Sequence, residues 1–174
     1  FENDSFSDNN SPSPKKQSAI SFVLDYAEIF ICAICAVILL FSFCFRLCKV
    51  KGPSMENTLF ENEMLIVSDL FYTPERGDII VFHQTRSLNE PVVKRVIALG
   101  GETVDIDFDT WTVTVTDKDG KSTVLDESYM YLSSDGSFMT SSHSYPYTVP
   151  EGHIFCMGDN RNGSTDSRSN LIGT

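Results

Sequence analysis

The chain is short of positive charge. Its 13 Lys and Arg stand against 24 Asp and Glu, a formal net charge of -11 over 174 residues. That balance argues against a nucleic-acid partner, since neutralising phosphates needs a surplus of Lys and Arg. Histidine is scarce too. His83 ends an apolar run, His143 lies in a Ser/Tyr loop and His153 follows Glu151-Gly152; none has the surroundings of a positioned base. Cysteine is little used downstream, where Cys156 stands alone, while Cys32, Cys35, Cys44 and Cys48 lie in or beside one apolar run. No disulfide framework follows from that pattern. Cys32 and Cys35 form a C-x-x-C, but the run offers no His or carboxylate to share a metal, so they read as small apolar residues of a lipid-facing helix. Beyond Lys51 no long window carries helical periodicity.

What the chain does have is one long uncharged stretch, residues 29–45. At about 1.5 Å per residue, the segment from Tyr26 to Leu47 covers a hydrocarbon core of ~30 Å. A cleavable secretory leader is the rival reading, with an apolar region of roughly 7 to 15 residues and a small-residue cleavage site. This run is longer and leads instead into Cys48-Lys-Val-Lys51, so residues 20–48 read as a permanent membrane anchor. Residues 1–19, rich in Asn, Ser, Asp and Pro, read as a disordered tail. Lys15 and Lys16 precede the span, and Arg46, Lys49 and Lys51 follow it. The positive-inside rule taken alone leans toward a cytoplasmic C-terminal part.

After the span the pattern turns to short β-type runs. Residues 63–68 (EMLIVS), 78–83 (DIIVFH) and 92–99 (VVKRVIAL) are compact and apolar. Residues 111–116 (WTVTVT) alternate strictly, and Asp117-Lys-Asp-Gly120 turns the chain toward residues 122–125, a hairpin signature. The expected fold is mainly β: an antiparallel catalytic core from residues 49–102 and 150–174, with a hairpin-rich insert at 103–149.

Four segments stand out for chemistry: Gly52-Pro-Ser-Met-Glu-Asn-Thr58, Arg76-Gly-Asp-Ile-Ile-Val-Phe82, Lys94-Arg-Val-Ile-Ala-Leu-Gly-Gly101 and Gly158-Asp-Asn-Arg-Asn-Gly-Ser-Thr-Asp-Ser-Arg168. Serine is a weak nucleophile until a base takes its proton, and Gly52-Pro53 supplies a sharp turn before Ser54. If residues 92–98 form a strand, Val92, Lys94, Val96 and Ala98 share one face and Arg95 the other. A lysine on an apolar face is desolvated, which lowers its pKa and lets a neutral amine act as base.

In this order the four segments resemble the boxes of bacterial type I signal peptidase, a family of membrane-anchored Ser/Lys proteases that cleave signal peptides from exported precursors. The similarity runs from near Ile20 to about Ile172. The resemblance implies that Ser54 is the nucleophile, Lys94 its general base, and Ser164 the hydroxyl that orients the amine. It further implies an Asp166–Arg168 ion pair that Arg95 joins, and a turn at Gly158, Asp159 and Asn160 that positions Ser164. It implies substrate contacts from Met55 and from an apolar edge at Asp78, Ile79, Ile80, Val81 and Phe82, with the peptide added as a strand. The implied partners are signal peptides cut after small-x-small sites and a lipid bilayer, with no nucleic acid, metal or organic cofactor. The implied location is the plasma membrane, crossed once, with the catalytic part outside the cytoplasm, against the lean of the flanking charges.

Two departures stand out. Asn57 occupies a place usually held by proline, and the chain stops at Thr174 where relatives commonly continue. Some relatives carry a serine at the place of Gly52, and its hydroxyl serves as a second oxyanion donor. Gly52→Ser is therefore expected to keep or raise turnover while Gly52→Ala gains nothing; if the turn instead needs glycine's dihedral freedom, both fall together. A self-cleaving repressor shares Ser/Lys chemistry, but nothing in residues 1–51 resembles a DNA-binding module. An anchored β domain that binds peptides without catalysis is the non-enzymatic alternative, and the intact Ser54, Lys94 and Ser164 set argues against it.

Overall fold

The computed structural model describes residues 19–83, 91–134, 141–170 and 172–174. The tail read at residues 1–19 lies outside the described residues except for Ala19. The chain divides into two units, one up to Cys44 and one from Phe45 to Thr174.

Helix α1 spans Ala19–Cys44, 26 residues or about 39 Å. Within Ile20–Cys44 an 18-residue window reaches a mean hydropathy of 2.6, and the stretch is long and apolar enough to cross a membrane. Its large side chains, among them Ile29, Phe30 and Leu40, are exposed rather than packed on protein. Ile, Ala and Phe are the commonest residues of the run and no Pro or Gly interrupts it, so helical hydrogen bonds can satisfy the backbone inside an apolar medium. The helix stops earlier than the expected anchor. Residues Arg46–Lys49 are strand β1, paired antiparallel with β2 (Met64–Val67).

Among the described residues, the secondary-structure elements of the second unit are all strands. Besides the β1–β2 ribbon it holds a three-stranded sheet of β3 (Ile79–His83), β4 (Pro91–Leu99) and β9 (Ile154–Met157), with β4 in the centre. A four-stranded sheet runs β7 (Ser122–Val124), β6 (Thr112–Thr116), β5 (Thr103–Asp107), β8 (Tyr147–Thr148). All the strand pairs are antiparallel. The hairpin expected at 111–125 forms as β6–β7. Asp117 Oδ1 accepts the N–H groups of Asp119 and Lys121 across its turn.

The segment expected as an insert supplies β5 to β8, yet it shares its core with the rest. Val104, Ile106, Val113 and Val115 from that sheet pack with Ile97, Ala98, Phe155 and Met157 from β4 and β9. Ile80, Val96 and Cys156 form a smaller cluster with Phe82, Leu99 and Ile154. Strand β4 is thus covered on both faces, which explains its nearly unbroken apolar run. Opposite β9 its register shifts between Val96 and Ala98, an irregularity at Ile97. The expected face of Val92, Lys94, Val96 and Ala98 therefore breaks: Val96 belongs to the small cluster and Ala98, with Ile97, to the large one. An extra residue in one strand reverses the alternation beyond it.

Pairing with β9 runs from Arg95 to Leu99, and pairing with β3 runs from Pro91 to Arg95. Among the described residues, then, the half of β4 from Pro91 to Lys94 has an open edge on the β9 side.

Candidate active site

Lys94 lies opposite Ile80 on β3, and Val96, two residues on, lies opposite Cys156 on β9. Its side chain is 3% exposed. The amine Nζ sits 2.8 Å from Ser54 Oγ and donates to its neighbour's carbonyl, Val93 O, at 2.8 Å. Burial pushes the Lys94 pKa down from 10.5 to about 8, with Asp166 opposing the fall and Arg168 adding to it. The nearby Cys156 thiol is itself pushed up to about 12 by burial and stays neutral where Lys94 titrates. A buried amine near neutrality spends an appreciable fraction of its time uncharged, with a lone pair for the Ser54 proton.

Ser54 is held in a turn. Glu56 N–H donates to Pro53 O, and the N–H groups of Thr58 and Leu59 both donate to Met55 O. Met55 is 1% exposed and anchors the turn from beneath. Gly52 enters it at φ 76°, the left-handed region that favours glycine. A side chain there would meet no atom within 4 Å, but it would meet an unfavourable backbone. That backbone favours the alternative in which serine and alanine are strained alike. The bond between Glu56 and Asn57, the residue at the usual proline place, is cis.

The glycine-rich fourth segment grips this turn. Asn160 N–H donates to Ser54 O and Asn160 Nδ2 to Pro53 O, both at 3.1 Å. A Cβ on Gly158 would lie 2.2 Å from Ser164 Oγ and 2.4 Å from Ser54 O, so only glycine fits between them. Ser164 is buried and its Oγ has no hydrogen-bond partner among the described residues. The expected bond from Ser164 to the lysine amine is not made, although the two sides of Gly158 bring Ser164 and the Ser54 backbone together.

Asp166 and Arg168 form the expected pair, with Arg168 Nε donating to Oδ1 at 2.8 Å and Nη2 to Oδ2 at 2.7 Å. Gly158 N–H donates to the same carboxylate. Arg95 does not join it. Facing away from Lys94 on its strand, Arg95 reaches Asp159, donating to Oδ1 at 2.8 Å and Oδ2 at 2.7 Å, and its guanidinium lies 3.9 Å from the Tyr129 ring centre. Thr58 belongs to this group without having been picked out from the sequence. Its hydroxyl donates to Asp159 Oδ2, and nothing about a threonine at a turn's end marks that bond in advance.

Of the expected substrate contacts, Asp78, Ile79 and Val81 line a groove of about 380 Å³ with Leu65, Val67 and Tyr72. Asp78 accepts from Tyr72 Oη at 2.6 Å and from Glu75 N–H. Ile80 and Phe82 face the other way, into the small cluster, as alternation requires. His83, His143 and His153 make no hydrogen bond to Ser54 or Lys94 among the described residues. No cluster there of three or more His, Cys, Asp or Glu could hold a metal ion.

The family profile described as "Signal peptidase, peptidase S26" matches residues 23–174. The chain belongs to the type I signal peptidases of that family. A signal peptidase I of Bacillus amyloliquefaciens is 35% identical over 160 residues, covering 90% of this chain and 83% of that relative. A probable signal peptidase I-1 of Synechocystis is 32% identical over 182 residues, 94% of this chain and 84% of the relative. The crystal structure of a signal peptidase I from Enterococcus faecalis is 34% identical, covers 59% of this chain and 88% of its own, and has a TM-score of 0.44. As a member of the S26 peptidases the chain is a serine-type peptidase, a hydrolase.

Proposed function

We propose that this peptidase removes N-terminal signal peptides from exported precursors, with Ser54 as nucleophile and Lys94 as general base. The observation that carries the reading is the 2.8 Å contact between a buried lysine amine and a serine hydroxyl held in a turn. With Lys94 neutral, the hydroxyl donates to Nζ and Oγ attacks the scissile carbonyl carbon. The Ser54 N–H makes no backbone hydrogen bond among the described residues, which leaves it for the developing oxyanion. Gly52 adds no hydroxyl there. The lysine then passes its proton to the departing amine, leaving an acyl-enzyme on Ser54. A water molecule deprotonated by Lys94 hydrolyses that ester.

Ser164 is assigned the positioning of the amine. Its hydroxyl is buried and has no hydrogen-bond partner among the described residues, so it has a bond to give. The Asp166–Arg168 pair fixes the segment that carries it. The substrate binds as an added strand, and the open edge of β4 suits this better than the outer edge of β3. Neighbouring strands lie ~4.8 Å apart, so a peptide beyond β3 would run about 10 Å from β4, whereas one on its open half runs directly to Lys94. Strand alternation then presents every second side chain, consistent with cleavage after small-x-small sequences. Helix α1 anchors the enzyme in the membrane, with the catalytic unit on the extracytoplasmic side where exported precursors emerge.

The test is cleavage of a precursor with Ala at the last and third-last residues of its signal peptide by purified full-length protein. The expected result is one cut after the Ala-x-Ala site, lost in Ser54→Ala and with Phe at either small position. No cut by the unaltered protein, or equal cutting of the Phe substrates, overturns the assignment.

A further inference from the structure

Besides the Lys94 amine, two groups among the described residues tie the Ser54 turn to the rest of the unit by hydrogen bonds. Asn160 holds its entrance through the carbonyls of Pro53 and Ser54. The other hold is at its exit, where the Thr58 hydroxyl donates to Asp159 Oδ2. Asp159 is fully buried, and its two oxygens are already engaged by the guanidinium of Arg95. Arg95 is fixed in turn by donation to Gly77 O at 2.7 Å and by the Tyr129 ring. Arg95 follows Lys94 directly on β4. The chain of contacts Thr58–Asp159–Arg95 therefore joins the nucleophile's turn to the strand that carries the base, by a route that avoids the reacting atoms.

We infer that Thr58 is a positioning residue, whose hydroxyl holds the Ser54 turn at hydrogen-bonding distance from Lys94. This rests on the Ser54–Lys94 reading above. Two features make the link more than a turn contact. It spans 101 residues of sequence, so it does not help the turn close on itself. It also ends on a carboxylate held rigidly by bidentate bonds from an arginine, a planar fork that fixes the acceptor's direction. The turn's own closure is secured separately by the backbone bonds to Pro53 O and Met55 O. Losing the hydroxyl should leave the turn folded but free to drift, and a drift of about 1 Å at a reacting group can cost ~100-fold in rate.

The variants are Thr58→Val, which keeps the shape without the hydroxyl, and Thr58→Ser, which restores it. Each is measured as full-length protein for kcat and KM on a signal-peptide substrate and for thermal midpoint. Expected are a kcat lower by roughly 10- to 100-fold in Thr58→Val, a KM within about twofold, an unchanged midpoint, and recovery in Thr58→Ser to within about threefold. A second arm does not depend on the substrate. In a Ser54→Cys background, the thiol's alkylation by iodoacetamide near neutral pH, located by peptide mass, reports its closeness to Lys94. Adding Thr58→Val should slow that alkylation, and adding Thr58→Ser should not. If the unaltered protein cleaves no signal peptide, the substrate reading fails while the alkylation arm still decides this inference. Undiminished kcat in Thr58→Val, alkylation unaffected by it, or no recovery in Thr58→Ser overturns the positioning role.

Discussion

Replacing Lys94 with methionine removes a buried amine without emptying its place. In the folded protein the amine's pKa falls from 10.5 to about 8, chiefly through burial. Each tenfold change in proton affinity is worth about 1.4 kcal/mol, so this fall corresponds to about 3 kcal/mol. The folded state binds the proton less tightly than the unfolded chain, so the penalty is present below about pH 8. It is relieved as pH rises from the folded value toward 10.5, and wild-type stability gains over that window. A methionine carries no such penalty. Relative to wild type, Lys94→Met should therefore be more stable by about 3 kcal/mol more at pH 7 than at pH 10.5. Denaturant unfolding of full-length protein reads this difference through Trp111, the chain's single tryptophan, which packs edge-on to Phe108 at 5.8 Å. Other titrating groups are common to both proteins and cancel in the comparison. Parallel stability curves across pH 7 to about 10.5 would refute the depressed lysine and with it the supply of a neutral base.

Turnover should follow the same titration, rising with pH to a midpoint near 8, and that limb should persist when His83, His143 and His153 are all replaced. Ser54→Ala and Lys94→Ala should each abolish cleavage, and the double mutant should be no worse than either, because the two act as a unit. Gly52→Ala and Gly52→Ser should lose turnover together, since φ of 76° costs either side chain about 1–2 kcal/mol; a gain in Gly52→Ser alone would restore the hydroxyl explanation. Gly158→Ala should lose activity through displacement of Ser164 and the Ser54 carbonyl, which a crystal structure of the variant checks directly.

Much of the second unit was legible because its strands are short and alternating. Residues 63–68, 78–83, 92–99 and 111–116 all contain the strands read from them, within a residue or two at the ends. Ser54 and Lys94 stood out for a related reason, a lysine inside an apolar strand and a serine after Gly-Pro, while the roles proposed for them rest on the resemblance of the four segments. Strand β1 was hidden because Leu47 and Cys48 continue the hydropathy of α1, and only pairing with β2 distinguishes them. The irregularity at Ile97 was hidden because an apolar run buried on both faces looks the same with one residue too many. Arg95 was paired with the wrong carboxylate for a geometric reason. Asp159 and Asp166 belong to one segment, and which of them faces β4 depends on how that segment folds around Ser54.

The irregularity in β4 also bears on how the protein can change. Up to Val96 the strand answers to the catalytic side, with Lys94 and the small cluster. Just beyond it, Ile97 and Ala98 answer to the large cluster shared with β5 and β6. The extra residue lets the two halves keep separate alternations, so the large cluster can be repacked by volume-conserving exchanges without turning Lys94 away from Ser54. Deleting one residue at Ile97 would merge the two halves into a single register. One of them would then carry its buried face into the wrong cluster. Sequence variation in the four-stranded sheet is thereby insulated from the chemistry by a single residue of slack.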